Sequence, residues 1–263
     1  MIELIRKKHG WKILELRYPE ILENNRKFAK VIIRSFNDIP APEGWIKEEG
    51  CVMAIDLTKS EDELWKAFSE NYRKHIRREE RENIIIGKGI YEDYDIWYND
   101  IYIPMCKEKK LIPYPIEYLR QGDLWISEKN GEMLAGQIIF HDDKNASQSF
   151  NSSIHVEYNG NRSITWTALK HYKKLGLSFF CFGGGFSKFK ERFGSELKTV
   201  WNYEIINNPF IRFIEKMRHP SPPDISLSSR LSKPADKIFI GGDGRHREAI
   251  QIVEDLKPTE AEA

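Results

Sequence analysis

The stretch C-F-G-G-G-F-S-K-F-K-E-R-F-G, residues 181–194, joins three consecutive glycines to a segment dense in lysine, arginine and phenylalanine. An apolar run at residues 177–182 leads into it and predicts a buried strand. The glycines either allow a substrate to approach the backbone closely or only turn this strand into a short helix. The pattern G-x-x-x-x-G-K-[ST] is absent, which excludes a P-loop.

The chain on either side of this stretch predicts a domain that mixes strands and helices. Asn130 and Gly131 form a dipeptide that is typical of hairpin turns. Apolar residues on one face of residues 163–175 predict a helix, and Gly176 suits its C-terminus. The predicted strands are residues 124–128, 133–140, 146–153, 177–182 and 199–206. The expected fold class is therefore α/β or mixed α+β.

The clearest predicted helix begins at a capping box formed by Ser60 and Glu63. An apolar stripe with a residue at every fourth position follows along it, formed by Leu64, Phe68, Tyr72 and Ile76. The spacing predicts one continuous helix with this stripe facing the core. A second, more aromatic helix is predicted for residues 93–109.

Three arginines, Arg73, Arg77 and Arg81, form a parallel stripe about 100° round the first helix from the apolar one. Cations in such a row are candidates for binding phosphate groups. For Arg73 and Arg77 a solvated helix face is the open alternative.

The same helix also carries charge pairs that are typical of a solvated surface. Glu70 with Lys74 and Arg78 with Glu82 are favourable i,i+4 pairs, and residues 79–80 are two further glutamates. We therefore expect Lys74 and Arg78 to be solvated rather than to bind a ligand.

The first 57 residues combine strand and helix patterns. Residues 11–16 alternate like a strand, residues 21–35 carry helical spacing, and residues 51–57 read as a buried strand. Prolines and a glycine at residues 40–44 separate the last two segments.

The C-terminal part of the chain changes character after about residue 207. Proline and serine residues predict a linker, after which residues 237–256 resemble a strand, a turn and a helix. The turn, G-G-D-G at residues 241–244, is either an anion-binding nest or a plain turn.

Composition restricts the possible classes of protein. The net charge of +1 gives no global attraction to nucleic acid or membrane, so any such attraction must be local. The apolar runs are too short to cross a bilayer, and the charged N-terminus is not a signal peptide. Three separated cysteines without C-x-x-C spacing disfavour a zinc site or a disulfide framework, and favour a reducing cytoplasm. No metal or bound cofactor is expected.

The order of several motifs resembles the FemABX-type transferases, which are built on the GNAT (N-acetyltransferase-like) fold, usually as two such domains. The motifs are D-L-T-K-S at 56–60, Leu64-Trp65, the arginine-rich helix, G-E-M-L-A-G at 131–136, the helix with Trp166, and G-G-G followed by F-K-E-R-F-G at 189–194. The resemblance implies a GNAT-like transferase domain at residues 58–206. It also implies a partial N-terminal GNAT-like segment at 1–57 and a C-terminal extension at 207–263.

The best-known members of that family move an amino acid from aminoacyl-tRNA onto an amine of a peptidoglycan precursor. The resemblance therefore implies an enzyme that forms an amide in the cytoplasm. Its expected partners are an aminoacyl-tRNA or acyl-CoA donor and an amine acceptor on an envelope precursor, a surface sugar or a peptide.

The resemblance also implies roles for residues of the opening stretch. Lys190 takes the place of the cation that stabilises the tetrahedral oxyanion of acyl transfer. Gly183, Gly184, Gly185 and Phe189 are then expected to contact the substrate. The alternative for Lys190 is a solvated lysine on a short helix.

Four further residues are candidates for the site. His155 and Tyr203 lie near expected strand ends and are candidates for relaying a proton, with surface or core positions as the alternatives. Trp166 is a candidate for substrate contact or for the core. Arg162, with Ser163, is placed to bind an anion at a helix start.

The stretch H-V-E-Y-N-G-N-R-S-I, residues 155–164, bears on the identity of the donor. By family resemblance, an acetyl-CoA-using member of this fold has a Q/R-x-x-G-x-G/A loop here, and this chain has a single glycine. The sequence thus favours aminoacyl-tRNA or another carrier over CoA. Two alternatives remain open: an acyl-CoA-dependent N-acyltransferase, and a non-catalytic GNAT-like module that binds a partner or nucleic acid.

Overall fold

The computed structural model describes residues 1–8, 10–154, 157–184 and 186–218. Its strands are β1 (Ile2–Lys8), β2 (Trp11–Arg17), β3 (Lys30–Ser35), β4 (Ile46–Asp56), β5 (Ile85–Lys88), β6 (Asp123–Lys129), β7 (Glu132–His141), β8 (Asn145–Ser153), β9 (Phe179–Gly184) and β10 (Glu196–Ile206). Its helices are α1 (Glu61–Ala67), α2 (Glu70–Arg81), α3 (Tyr91–Ile96), a π-helical turn (Trp97–Tyr102), α4 (Ile103–Glu108), α5 (Ile116–Leu119), α6 (Asn161–Lys174), α7 (Lys188–Glu191) and α8 (Pro209–Arg218). The mixed α/β fold class predicted from the sequence is confirmed.

The described residues form two compact units, residues 1–51 with 198–218 and residues 52–197. The boundaries predicted at 57/58 and 206/207 stay predictions about folding units. Helix α8 precedes the linker predicted at residues 219–232, which lies outside the described residues. The predicted strand, turn and helix at 237–256, with the G-G-D-G turn, lie outside the described residues. In the part of the chain that is described, no helix has the length and apolar character to cross a bilayer.

The first unit contains the sheet order β1-β2-β3-β10, continued by the first half of β4. The helix predicted at residues 21–35 is wrong, because residues 30–35 are strand β3, which runs parallel to β2 and antiparallel to β10. Val31, Ile33 and Ser35 are buried and alternate with half-exposed residues. Burial that alternates with a period of two residues is typical of a strand.

The second unit contains the sheet order β4-β9-β8-β7-β6-β5, with β4 represented by its second half. The hairpin of β6 and β7 is confirmed, and Asn130 and Gly131 have φ values of 54° and 81° as a turn of type I′ requires. Strands β8 and β9 are parallel to each other and are connected through α6. The predicted strand at 177–182 therefore exists, displaced by two residues.

The predicted long helix after residue 60 is two helices rather than one. The capping box of Ser60 and Glu63 is confirmed at the start of α1. Phe68, with φ −62° and ψ 139°, then interrupts the helix, and the Ser69 side chain caps α2 by accepting a hydrogen bond from the Tyr72 amide. The Ser69 amide donates to the carbonyl of Arg192 at 2.8 Å, so the break is held from outside the helices.

The predicted aromatic helix is confirmed and contains a π-helical turn. The Ile103 amide donates to the carbonyl of Tyr98, five residues back. The Trp97 and Tyr102 rings stack at 5.0 Å with an interplanar angle of 24°. Trp97 lies so close over Gly136 that a Cβ on Gly136 would be 2.3 Å from the indole. The turn therefore fixes this helix against strand β7.

Helices α2 and α6 cover one face of the second unit's sheet. The apolar stripe of α1 and α2 is buried in the same core as Ile164, Ala168 and Tyr172 of α6. Strand β9 contributes Phe180 and Phe182 to this core and ends at the glycine loop. Strand β9 thereby leads from this core into the segment that carries α7.

Candidate functional site

The Lys190 ammonium is held against the glycine loop. Its Nζ donates a hydrogen bond to the carbonyl oxygen of Gly183 at 2.6 Å, and the side chain is half-buried. Lys190 belongs to α7, which Ser187 caps by accepting from the Phe189 amide. The ammonium thus binds a carbonyl of the glycine loop, and its role at the oxyanion stays a prediction.

Gly183 is not required by the fold as a glycine. A Cβ at this position would have only the Gln148 carbonyl oxygen near it, at 3.9 Å, which is an ordinary contact. Its φ lies outside the left-handed region. A Cβ on Gly183 would therefore make no close contact with the described residues. Gly184 ends β9, and Gly185 lies outside the described residues.

The lack of close contacts at this Cβ predicts the effect of replacing Gly183. Gly183→Ala should change the free energy of unfolding by less than about 1 kcal/mol, because the added methyl group meets no close neighbour. If a substrate lies next to this Cβ, the methyl group should lower the transfer rate at least about tenfold. Unfolding in urea and a transfer assay measure the two effects.

The matched control for this substitution is Gly87→Ala. Gly87 also lies in a strand, and a Cβ there has no neighbour within 4 Å. It should leave both stability and rate unchanged. Equal rates for the Gly183 and Gly87 variants would contradict a substrate position above Gly183.

Tyr72 links helix α2 to α7. Its hydroxyl donates to the carbonyl of Phe189 at 3.3 Å, and its ring lies 5.9 Å from the Phe189 ring. The guanidinium carbons of Arg162 and Arg192 lie over the Tyr72 ring at 5.0 and 6.0 Å. Burial raises the pKa of Tyr72, so its hydroxyl stays protonated at neutral pH. The residue before Lys190 is thereby fixed by a neutral phenol and flanked by two cations.

Arg162 lies between α6 and α2. Its Nη1 is 3.5 Å from Nδ1 of His75, and its Nε is buried with no hydrogen-bond partner in the described part of the chain. With the guanidinium also over the Tyr72 ring, Arg162 connects the surroundings of Lys190 to those of His75.

The N-terminus of α6 is occupied by a carboxylate of the protein itself. Gly160 caps the helix with a φ of 77°. Glu79, with 0% of its surface exposed, accepts from the amides of Gly160 and Ser163 at 3.2 Å and from the Ser163 hydroxyl at 2.5 Å. The Asn161 amide donates to the side chain of Asn159 at 3.1 Å. The anion that Ser163 binds is therefore internal, and Glu79 is not the solvated residue that the sequence suggested.

Arg73 and Arg77 contact residues of helix α1. Arg73 donates from Nη1 to the carbonyl of Lys66 at 3.1 Å, and the Arg77 guanidinium carbon is 5.7 Å from the centre of the Trp65 ring. Trp65 in turn packs on Trp166 at 5.0 Å. Arg77 therefore contacts Trp65, and Trp65 contacts Trp166, whereas the Lys190 ammonium binds the carbonyl of Gly183.

The structure describes Tyr203, one of the residues predicted to relay a proton. Tyr203 belongs to the first unit, where it is fully buried. Its hydroxyl accepts from the Ile39 amide at 2.7 Å and donates to the Ile39 carbonyl at 2.9 Å. These bonds account for the hydroxyl as a structural group, so its surroundings give no support to a relay. His155 lies outside the described residues.

A second group of titratable side chains surrounds Asp123. Lys88 Nζ, the Tyr172 hydroxyl and His141 Nε2 lie 2.8, 2.9 and 3.3 Å from its carboxylate. Burial acts to raise the pKa of Asp123, but hydrogen bonds from His141, Lys88 and Tyr172 outweigh it and lower the pKa. The hydrogen bond to Asp123 is the main cause that raises the pKa of His141 above 6.5.

The raised pKa of His141 predicts a pH dependence of stability. A group whose pKa is higher in the folded state stabilises fully below its unfolded pKa and loses that contribution as the pH rises through the folded value. Wild type should therefore exceed His141→Gln in unfolding free energy most clearly below pH 6.5, with the difference shrinking at higher pH. Urea unfolding from about pH 5.5 to about pH 8.5 measures it, and a difference that grows with pH would contradict the assignment.

The sequence did not predict the contact of the Tyr72 hydroxyl or the burial of Glu79. Glu79 follows Ile76 by three positions, so it continues the buried face of α2. That spacing was the available indication. Nothing in the sequence paired Glu79 with residues 160–163, because this contact joins segments about 80 residues apart.

The fold is found in solved transferase structures. No family model matches the sequence, and no curated protein matches it. The structure of FemX aligns with a TM-score of 0.60 at 11% identity, over 81% of this chain and 86% of that one. The C-terminal domain of a putative lysylphosphatidylglycerol synthetase from Agrobacterium fabrum aligns with a TM-score of 0.53 at 9% identity, over 82% and 84%.

A GCN5-related N-acetyltransferase from Kribbella flavida is also similar, with a TM-score of 0.40 at 7% identity over 78% of this chain and 87% of that one. The resemblance in motif order that the sequence predicted is thus matched at the level of structure. The chain has the fold of FemX.

Proposed function

We propose that this chain is an aminoacyltransferase that forms an amide, moving an amino acid from aminoacyl-tRNA to an amine of a cell-envelope precursor, a surface sugar or a peptide. One observation carries this proposal. The Lys190 ammonium is held 2.6 Å from the carbonyl oxygen of Gly183, at a glycine where a Cβ would make no close contact with the described residues.

The proposed step is aminolysis of an ester. The neutral amine nitrogen of the acceptor attacks the ester carbonyl carbon, so that a C–N bond forms and the C–O bond to the ribose breaks. The attacking nitrogen loses one proton, and the departing ribose oxygen gains one. Negative charge develops on the carbonyl oxygen in between, and a fixed ammonium beside that oxygen stabilises it. We assign this role to the Lys190 ammonium, which donates to the carbonyl of Gly183.

The α6 N-terminus supports an aminoacyl donor over CoA. Backbone amides at a helix start bind phosphate groups when they are unoccupied. Here the amides of Gly160 and Ser163 bind Glu79, and the Asn161 amide binds Asn159. A diphosphate at this position would meet a buried carboxylate of the same sign. The name of the second structural neighbour, a putative lysylphosphatidylglycerol synthetase, also supports aminoacyl chemistry.

The test is product analysis by mass spectrometry. The full chain is incubated with tRNA charged with isotope-labelled amino acids, and separately with acyl-CoAs. Each incubation contains the same panel of amines: envelope-precursor peptides, amino sugars and lysine peptides. We expect labelled amide from the charged tRNA and none from acyl-CoA.

Two outcomes of this test would contradict the proposal. Amide formed only from acyl-CoA would overturn the donor assignment. Absence of amide from both donors, across the panel, would favour a non-catalytic binding module. A thermal-shift series with CoA is an independent check, since a ligand that binds only the folded state raises its melting temperature, and we expect no such rise.

A further inference from the structure

A basic pocket lies on a face of α2 that the proposed chemistry does not use. It has a volume of about 460 Å³ and is lined by Asn71, Lys74, His75, Arg78, Arg81 and Tyr158. The residues from α2 recur at spacings of three and four, which places them on one side of the helix. Because Tyr72 and Ile76 face the core, this side looks outward. A pocket of this volume is large enough for a nucleotide.

The Tyr158 ring lines the pocket and contacts two residues of α2. The Arg78 guanidinium carbon is 5.0 Å from the centre of the Tyr158 ring, and the His75 ring is 5.4 Å from it. Tyr158 precedes α6 by three residues. A planar face next to cations suits a nucleobase together with its phosphate.

His75 lines this pocket as a neutral ring. Arg162 has only donors, so the 3.5 Å contact between its Nη1 and His75 Nδ1 leaves that nitrogen without a proton. Burial and then the Arg162 charge lower the pKa of His75, against the nearby carboxylates of Glu79 and Glu157. The neutral ring therefore carries its proton on Nε2.

The cations of the pocket are available to a phosphate. Lys74 pairs with Glu70 at 2.8 Å and Arg78 with Glu82 at 3.2 Å, which confirms the predicted i,i+4 pairs. Both pairs are more than one-third exposed on each side, and exposed pairs contribute little. A phosphate can replace either carboxylate at low cost, so the expectation that Lys74 and Arg78 are only solvated is incomplete.

We propose that this pocket binds the phosphodiester backbone of an RNA, at the acceptor end of the donor tRNA. The proposal rests on the proposed function for the identity of that RNA. The described lining contains charged and polar side chains and one tyrosine but no aliphatic side chain, which favours RNA over a lipid surface. Arg162 touches both His75 and the Tyr72 ring beside α7, so an RNA end bound here lies next to the Lys190 segment.

The test is binding of an uncharged RNA hairpin with a single-stranded CCA 3′ end, followed by fluorescence anisotropy at several salt concentrations. The variant is the full chain with Arg78→Gln and Arg81→Gln. We expect its Kd to be at least about tenfold weaker, and the slope of log K against log salt to fall by about 1 to 2. Circular dichroism verifies that the variant is folded.

The matched control is Lys107→Gln with Lys109→Gln, which removes the same charge from exposed positions of the same unit. It should bind RNA as wild type does. Equal weakening of both double variants, or no weakening of either, overturns the proposal. So does a wild type that binds anionic phosphatidylglycerol vesicles through Arg78 and Arg81 but does not bind the hairpin.

The two proposals fail separately. If Arg78→Gln with Arg81→Gln leaves RNA affinity unchanged while wild type forms amide, only the pocket assignment fails. If RNA binding depends on the pocket and no amide forms from charged tRNA, the transferase proposal fails and the RNA site stands.

Discussion

Replacing Lys190 by alanine is expected to lower the rate of amide formation by a factor of about 10² to 10³, the loss seen when one oxyanion donor is removed. The side chain is half-buried and its bond to Gly183 is one hydrogen bond, so unfolding free energy should fall by only about 1 kcal/mol. Single-turnover rates with labelled aminoacyl-tRNA and urea unfolding of the same preparation separate the two effects.

Lys188→Ala is the matched control for this substitution. Lys188 is exposed, lies on the same short helix and carries the same charge. It should retain the wild-type rate. A Lys190→Ala protein that transfers as fast as wild type would remove the oxyanion role, and equal losses in both variants would indicate general electrostatics instead of one positioned ammonium.

The largest loss of stability is expected from Glu79→Ala. The substitution leaves the Gly160 amide, the Ser163 amide and the Ser163 hydroxyl without their acceptor in a buried position. Unpaired buried groups cost about 1 to 3 kcal/mol each, and partial relaxation reduces the sum, so we expect a loss of about 3 kcal/mol. For a chain of this size that corresponds to a fall in melting temperature of about 10 °C.

Glu80→Ala is the control, since Glu80 is the exposed neighbour on the same helix. It should melt within about 1 °C of wild type, because exposed substitutions change stability little. Glu79→Gln should fall between the two, as one amide oxygen replaces two carboxylate oxygens. Equal melting temperatures for the Glu79→Ala and Glu80→Ala variants would show that the α6 N-terminus does not depend on this carboxylate.

The elements that the sequence predicted well are those specified by local chemistry. The Asn130-Gly131 turn needs two left-handed residues, and the Ser60 cap needs a side chain three positions from its partner. Both requirements can be read within four residues.

The wrong predictions concern segments whose structure is decided by distant partners. Residues 30–35 carry apolar side chains compatible with either period, and pairing with β2 and β10 selects the strand. The predicted long helix is interrupted at Phe68, and the next amide, that of Ser69, binds the carbonyl of Arg192, more than 120 positions away.

Only part of the candidate site could be predicted from the sequence, because the rest depends on contacts between distant segments. The glycine loop and its lysine are a sequence motif, whereas the pocket depends on which side of α2 faces Tyr158. Arg73 and Arg77 looked equivalent to Arg81 in the sequence, yet only Arg81 among them lines the pocket. A helix turned slightly differently on its core would have exposed the other arginines there.

The π-helical turn between Trp97 and Tyr102 is wider than an α-helical turn, and the two rings stack across it. In a regular α-helix, residues five apart point about 140° away from each other, so these rings meet only because the turn between them is wider. Deleting one residue between them should restore an ordinary helix and leave both flanking segments in phase. The same deletion a turn further along would rotate the rest by about 100° and bring Cys106 out of the interior. Length variants of this helix should therefore be tolerated at one place along it.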